Sequence, residues 1–343
     1  MKNLKRVLAM VMVLAMSVGV LAACGGSKKK SNDFALVSKS TGNPYMEKQA
    51  EGFEEAVKEF GGNAVIKYPA NPTAEDQIAM ITELVSQGVA GIAIAANDYD
   101  ALQPALSEAA KKGVKVISLD SAVNAASRMT HVNQADPVAI GVSLVEAAYD
   151  LTGGSGEFAI LSATSTASNQ NTWIENMKKT LEDPKYADLK LVKVAYGDDL
   201  RDKSVSETEA LLATYPDLKC IVAPTTVGIA AAAKVITDND LTDKIAITGL
   251  GLPSEMAEYM VEGGACPYMF LWNPIDVGYL AGHTLKAMVD EKSTGKAGDK
   301  FEAGRLGSME VVDATSGDGG TEVLLGEPFK FDTANIDEWK TVY

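Results

Sequence analysis

Short apolar runs alternate with amphipathic stretches along most of the chain. The run Val114–Ser121 predicts a strand that ends in a carboxylate, Asp120. A helical pattern, Asp98–Lys112, precedes it, and an apolar strand, Gly91–Ala96, comes before that helix. A strand, a helix and a strand joined by short connections favour parallel pairing. Ligands of open parallel sheets bind outside the carboxyl ends of the strands, which is where Asp120 and Asn97 stand.

The same unit occurs a second time in Cys220–Gly251, where a strand, an alanine-rich helix and a second strand follow one another. The pattern therefore predicts two α/β lobes, residues 33–135 and 136–273, each a doubly wound parallel sheet. A length of 343 residues fits two domains. Two lobes whose binding edges face each other would form a cleft.

Polar side chains stand at the predicted carboxyl ends of strands in both halves. Amides, one carboxylate and one ammonium supply donors and acceptors together, which suits a neutral ligand with several hydroxyl groups. For Asp120 a cap or turn role stays open, as does a solvated position for Lys39 and a helix start for Asn169 and Gln170. The candidates are Lys39, Asn97, Asp120, Asn169, Gln170, Pro224 and Thr226, with Tyr45, Trp173 and Trp272 as aromatic groups for sugar stacking or core packing.

Composition narrows the class of partner. The formal net charge is −15, and Lys2, Lys5 and Arg6 are the only charges in residues 1–23, so their removal leaves −15 − 3 = −18. An acidic body argues against nucleic acid as a partner. Enzyme, Walker and metal-ligand motifs do not occur, so no catalytic residue, cofactor or metal is expected. The acidic run at 198–202 has the composition of a surface loop.

The three cysteines have different surroundings. Residues 1–23 form a signal peptide pattern, because a basic start precedes an apolar run shorter than the ~20 residues of a spanning helix. Leu21-Ala22-Ala23-Cys24 resembles the bacterial lipobox, which implies cleavage before Cys24 and its lipidation. Residues 24–32 are polar and predict a flexible tether. Cys220 and Cys266 lie beside different apolar strands and are expected as buried free thiols.

Seven short motifs resemble the type I periplasmic solute-binding proteins of ABC importers, in their rhamnose-binding and autoinducer-2-binding branch. The resemblance covers nearly all of the chain after the signal. In the autoinducer-2 receptors the ligand-binding positions correspond to Lys39, Asp120, Asn169, Gln170, Pro224 and Thr226. Asn169 replaces an aspartate and Thr226 an alanine, and these two departures are closer to the rhamnose type, so both ligand classes stay open. The motifs are Lys39–Pro44, Pro72–Glu75, Ser118–Ser121, Val132–Gln134, Ser168–Trp173, Ala223–Thr226 and Leu271–Pro274.

The resemblance implies three hinge crossings, near residue 135, at 272–274 and within 302–308. Residues 274–302 would then join the first lobe and 303–343 the second. It also implies a monomer, lipid-anchored on the outer face of the membrane, that closes on its ligand and docks on an ABC permease. Two alternatives remain, a receptor that signals to a membrane sensor and an enzyme that modifies sugars. A sugar-responsive transcription factor would share the lobes but not an export signal.

Overall fold

The computed structural model describes residues 31–343. The predicted signal peptide, Cys24 and nearly all of the predicted tether lie outside the described residues. Within residues 31–343 no helix is long and apolar enough to cross a bilayer. The strands are β1 Asp33–Val37, β2 Asn63–Lys67, β3 Gly91–Ile94, β4 Lys115–Leu119, β5 His131–Asn133, β6 Gly156–Ser162, β7 Leu189–Tyr196, β8 Leu218–Ala223, β9 Ala246–Gly249, β10 Tyr268–Leu271, β11 Lys300–Glu302, β12 Ser308–Glu310, β13 Val312–Asp313, β14 Thr321–Leu324 and β15 Phe329–Asp332.

Helices fill most connections between the strands. The α-helices are Pro44–Glu59, Ala74–Gln87, Gln103–Lys111, Pro137–Leu151, Ser168–Thr180, Arg201–Thr214, Thr226–Asp238, Pro253–Met256, Pro274–Val289 and Ile336–Trp339, and the 3-10 turns are Ala125–Ser127, Pro184–Tyr186 and Gly304–Leu306.

The first lobe is built on a seven-stranded sheet in the order β13-β14-β5-β4-β3-β1-β2, parallel except where β13 meets β14. The helix Pro274–Val289 packs closely on Pro44–Glu59. A Cβ at Gly52 would lie 1.8 Å from the carbonyl oxygen of Ile275, and one at Gly278 would lie 1.8 Å from that of Gln49. Only glycine permits this approach, so the helix Pro44–Glu59, which carries Tyr45, is fixed against Pro274–Val289.

The second lobe contains the parallel sheet β7-β6-β8-β9. A bridge between Leu250 and Phe270 adds β10 beside β9, and β15 pairs antiparallel with β10. The two-lobed, doubly wound α/β architecture expected from the sequence is confirmed.

Cys220 and Cys266 are both buried, without a disulfide between them.

The C-terminal tail corrects the predicted lobe boundary. Residues 303–343 were expected in the second lobe, but β14 pairs in parallel with β5 of the first sheet. The third crossing therefore lies at 325–328, between β14 and β15, and not within 302–308. It runs beside the first crossing, since Leu325 N donates to Asn133 O over 2.9 Å and Asp136 N to Gly326 O over 3.2 Å. Pairing with the free edge of β5 satisfies backbone groups that would otherwise be unpaired.

One helix begins later than its pattern predicts. The helix expected from Asp98 starts at Gln103. The Asp98 carboxylate accepts from the backbone nitrogens of Asp100 and Ala101 at 3.0 and 2.8 Å, which holds this segment in a turn. Aspartate competes with helix formation through such local hydrogen bonds.

Candidate functional site

A cavity lies between the carboxyl ends of strands of the two sheets. Nine of the ten predicted site residues line it, and Asn97 does not. The lining residues are Lys39, Asn43, Tyr45, Met46, Asp120, Asn169, Gln170, Trp173, Asp199, Pro224, Thr225, Thr226, Leu250, Leu271 and Trp272.

Asp120 is the buried acceptor of the cavity. It follows β4 in a left-handed conformation, with φ 58°, which turns the chain sharply at the end of the strand. Its carboxylate accepts from the Tyr45 hydroxyl at 3.1 Å and from Ser121 Oγ and Asn169 Nδ2 at 3.3 Å each. Burial raises the pKa of Asp120, while the charge of Lys39 and the Tyr45 hydrogen bond act against that rise. The predicted alternative of a helix cap does not apply, because no α-helix starts at this residue.

Lys39 lies close to this carboxylate and is equally buried. Its Nζ donates to Ser121 Oγ over 2.8 Å and lies 4.0 Å from Asp120 Oδ2. Asn97 stands behind it, since Asn97 Nδ2 donates to the Lys39 carbonyl over 2.8 Å. The Asn97 side chain thus supports the Lys39 loop. It lies outside the cavity wall, although its place at the end of β3 was predicted.

Three aromatic side chains form one side of the cavity. The rings of Trp173 and Trp272 are 5.7 Å apart and tilted by 57°, and Tyr45 meets Trp272 edge to face at 6.4 Å. All three are buried, at 3 to 4% exposure. Such rings can stack on the apolar face of a sugar while their polar tips keep hydrogen bonds. Burial, followed by the charge of Asp120, raises the pKa of Tyr45 well above its usual value, so the phenol is neutral.

Gln170 presents a donor to the cavity. Its Oε1 accepts from Ser162 Oγ at 2.7 Å and from the backbone nitrogen of Ala163 at 2.6 Å. A backbone N–H can only donate, so the amide oxygen is fixed there. The Nε2 group has no hydrogen-bond partner within residues 31–343 and remains available to a ligand oxygen.

The second lobe adds a loop and a helix start to the wall. Pro224 and Thr226 lie where β8 leads into Thr226–Asp238. Asp199, which sequence composition assigned to a surface loop, also lines the cavity. Thr225 Oγ1 donates to its carboxylate, and the neighbouring Asp198 pairs with Lys203 instead. The position of Asp199 three residues after β7 could have identified it by the same rule that found Asp120.

Hydrogen bonds join the two lobes around the cavity. Thr166 Oγ1 donates to Asn97 O over 2.9 Å, and Ser168 Oγ donates to Ala122 O over 3.0 Å. Together with the bond from Asn169 to Asp120, these contacts show that the structure has the lobes closed on each other. Among the described residues no group of three or more His, Cys, Asp or Glu side chains could hold a metal ion.

Comparison with known proteins decides the family. The profile described as "Periplasmic binding protein domain" matches residues 34–293, more than half of the chain. This chain belongs to the periplasmic binding protein family. Members of the family are extracytoplasmic, non-enzymatic components of transport, so the expectation of a binding protein rather than an enzyme is confirmed.

Three relatives of this periplasmic binding protein are informative. An ABC transporter solute-binding protein from Clostridium phytofermentas, solved with bound L-rhamnose, is 50% identical, with a TM-score of 0.89 over 91% of this chain and 99% of that one. The D-allose-binding periplasmic protein of Escherichia coli is 26% identical over 77% of this chain and 86% of its own length. LsrB from Clostridium saccharobutylicum, solved in complex with AI-2, is 24% identical with a TM-score of 0.83 over 90% of this chain and 99% of that one, and shows the shared fold.

Proposed function

We propose that this protein captures a rhamnose-type sugar between its lobes and delivers it to an ABC importer, while lipid on Cys24 anchors it to the outer face of the membrane. The observation that carries the proposal is a buried carboxylate, Asp120, set among donors and tryptophan rings in a cavity between the two lobes. The 50% identity to a protein solved with L-rhamnose supports the same ligand class.

The side chains suit a neutral polyol. An ionised Asp120, which already accepts from three protein donors, keeps one of its four acceptor positions for a ligand hydroxyl group, and such charge-assisted bonds are strong. Lys39 Nζ and Gln170 Nε2 donate to ring or hydroxyl oxygens. Rhamnose carries a methyl group in place of one hydroxymethyl, and Met46, Leu250 and Leu271 give the cavity an apolar part that fits it.

Autoinducer-2 is the second candidate ligand, because Lys39, Asp120, Gln170 and Pro224 match the positions used by its receptors. The observation against it is the bond of 3.3 Å from Asn169 Nδ2 to Asp120 Oδ2. An aspartate at position 169, as in those receptors, could not donate there and would repel Asp120. This difference favours a sugar, and the test below includes both compounds.

The proposed function is tested by thermal unfolding of residues 31–343, first unfolded and refolded to remove bound ligand. Wild type is measured with L-rhamnose, ribose, galactose, glucose and autoinducer-2, since a ligand that binds only the folded state raises the midpoint. We expect the largest shift with L-rhamnose and none in Asp120→Asn. Asp240→Asn is the matched control, because Asp240 has a similar left-handed backbone, φ 54°, but is exposed and distant from the cavity.

No shift with any compound would contradict sugar capture, and a shift with autoinducer-2 alone would replace the sugar by that ligand.

Transport itself is tested by co-purification of the lipidated protein with a membrane permease. Recovery with a membrane sensor instead would support the receptor alternative.

A further inference from the structure

We infer that Asp199 is a second ligand-binding carboxylate, contributed by the second lobe, and that it determines specificity for a ligand carrying hydroxyl groups at both ends. The inference rests on the proposed function, because it adds a contact to the same sugar site. Asp120 would hold one end of the ligand from the first lobe. Asp199 would accept from the other end only when the lobes are closed.

The position of Asp199 fits this role. It is half-buried and lines the cavity, three residues beyond the carboxyl end of β7. Thr225 Oγ1 donates to Oδ1, which fixes the direction of the carboxylate. The second oxygen, Oδ2, has no hydrogen-bond partner within residues 31–343. An ionised carboxylate with one oxygen held and one oxygen unused is ready to accept from a hydroxyl group.

The backbone at this site is unusual. Asp198 and Asp199 are consecutive residues with φ 55° and 54°, a left-handed backbone region that residues other than glycine rarely adopt. The loop is held to the end of β6, since Asp198 N donates to Ala163 O over 3.2 Å. Asp120 reaches the cavity through the same left-handed conformation. A left-handed residue of this kind persists where the surrounding structure imposes it.

Electrostatics link the two carboxylates. Burial raises the pKa of Asp120 and the charge of Asp199 adds to that rise, so the two carboxylates lie near enough to interact. Lys39 is the single cation among the residues that line it. Two carboxylates and one ammonium suit a neutral polyol, which donates to both acids, better than an anionic sugar.

The test compares Asp199→Asn with Asp198→Asn by calorimetric titration of L-rhamnose. Asparagine tolerates the left-handed backbone and its oxygen still accepts from Thr225, so the substitution removes the charge and leaves the loop intact. We expect the dissociation constant to rise roughly 10-fold or more in Asp199→Asn, as for the loss of a charge-assisted hydrogen bond. Asp198→Asn changes a residue that is paired with Lys203 outside the cavity, and it should change the dissociation constant less than about 2-fold.

Thr225→Val provides an independent measurement. Thr225 lines the cavity but makes no side-chain cap to the following helix, so the variant removes the hydroxyl that directs Asp199 without removing a helix cap. We expect an intermediate loss of affinity with an unchanged midpoint of unfolding in the absence of ligand. Equal affinity of wild type and Asp199→Asn for L-rhamnose would overturn the inference and leave the proposed function standing. Failure of wild type to bind any sugar would instead overturn the proposed function and the inference with it.

Discussion

The hydroxyl of Tyr45 donates to Asp120 Oδ1 over 3.1 Å, and the Tyr45 hydroxyl oxygen itself accepts from Trp272 Nε1 at 2.6 Å. Gln49 Nε2 adds a further donor to this oxygen at 3.1 Å. Tyr45 therefore connects the buried carboxylate of the first lobe to the second hinge crossing, where Trp272 stands. One hydroxyl group positions both the main acceptor of the cavity and one of its aromatic walls.

Replacement of Tyr45 by phenylalanine should weaken both ligand binding and folding. The change leaves the Trp272 and Gln49 donors and one Asp120 oxygen without their partner, at a cost of about 1–3 kcal/mol in the free energy of unfolding. Affinity for L-rhamnose should fall roughly 10-fold, because Asp120 loses its orientation. Denaturant unfolding and calorimetric titration measure the two effects.

Tyr68→Phe is the control, since the half-buried Tyr68 hydroxyl makes no hydrogen bond within residues 31–343. Equal behaviour of the two variants would contradict the role assigned to Tyr45.

Sugar affinity should depend on pH through Asp120. Burial raises the pKa of this carboxyl above its usual value of 3.8, and only the ionised form makes a charge-assisted hydrogen bond with a ligand hydroxyl group. Affinity should therefore decrease as pH falls through this raised pKa, at a higher pH than for an ordinary aspartate. The free energy of unfolding of the ligand-free protein depends on pH with the opposite sign. The stability that Asp120 contributes below pH 3.8 is lost as pH rises through its raised pKa. Titration calorimetry from pH 4 to 8 checks the first effect, and an affinity that stays constant over this range would contradict it.

Stability should also depend on His131, which is buried and neutral. Burial, with a further contribution from Arg128, lowers its pKa from 6.5 to about 3. The unfolded chain then binds more protons than the native state between these values, so stability falls as pH decreases from about 6.5 towards 3. The slope from this group is at most about 1.4 kcal/mol per pH unit.

His131→Asn should flatten the dependence in urea unfolding at a series of pH values. The difference from wild type isolates His131, because His283 is unchanged in both proteins. Identical slopes would mean that the pKa of His131 does not differ between the folded and unfolded states in this pH range.

The contacts that close the lobes should control ligand release. Thr166→Val and Ser168→Ala each remove one neutral hydrogen bond between the lobes, worth about 0.5–1.5 kcal/mol. We expect dissociation of L-rhamnose to be roughly 2- to 10-fold faster, with little change in association, since these bonds form only after closure. Stopped-flow tryptophan fluorescence reports both rates through Trp173 and Trp272.

Ser165→Ala is the control for these variants, because the exposed Ser165 hydroxyl makes no hydrogen bond within the described residues. A slower dissociation or an effect confined to association would contradict this assignment.

Most of the cavity follows from local sequence. Asp120 and Gln170 were found because each follows an apolar strand, and parallel strands bring their carboxyl ends to one edge, whereas Pro224 came from the family resemblance. Asp199 obeys the same rule, but its acidic neighbours have the composition of a solvated loop. Only the fold shows that Asp198 turns to Lys203 while Asp199 turns to the cavity.

The errors concern features with no local pattern. The pairing of β14 with β5 joins segments about 190 residues apart, and nothing in either segment specifies the partner. Asn97 stands at the correct strand end, yet its amide turns back to the Lys39 carbonyl, because that buried carbonyl needs a donor. Side-chain direction of this kind depends on neighbours that the sequence does not reveal.

Titration calorimetry of L-rhamnose into refolded, ligand-free protein tests sugar capture most directly. We predict one saturable site per chain that is lost in Asp120→Asn and retained in Asp240→Asn. Absence of binding in wild type, or equal binding in Asp120→Asn, would contradict a sugar site built around Asp120.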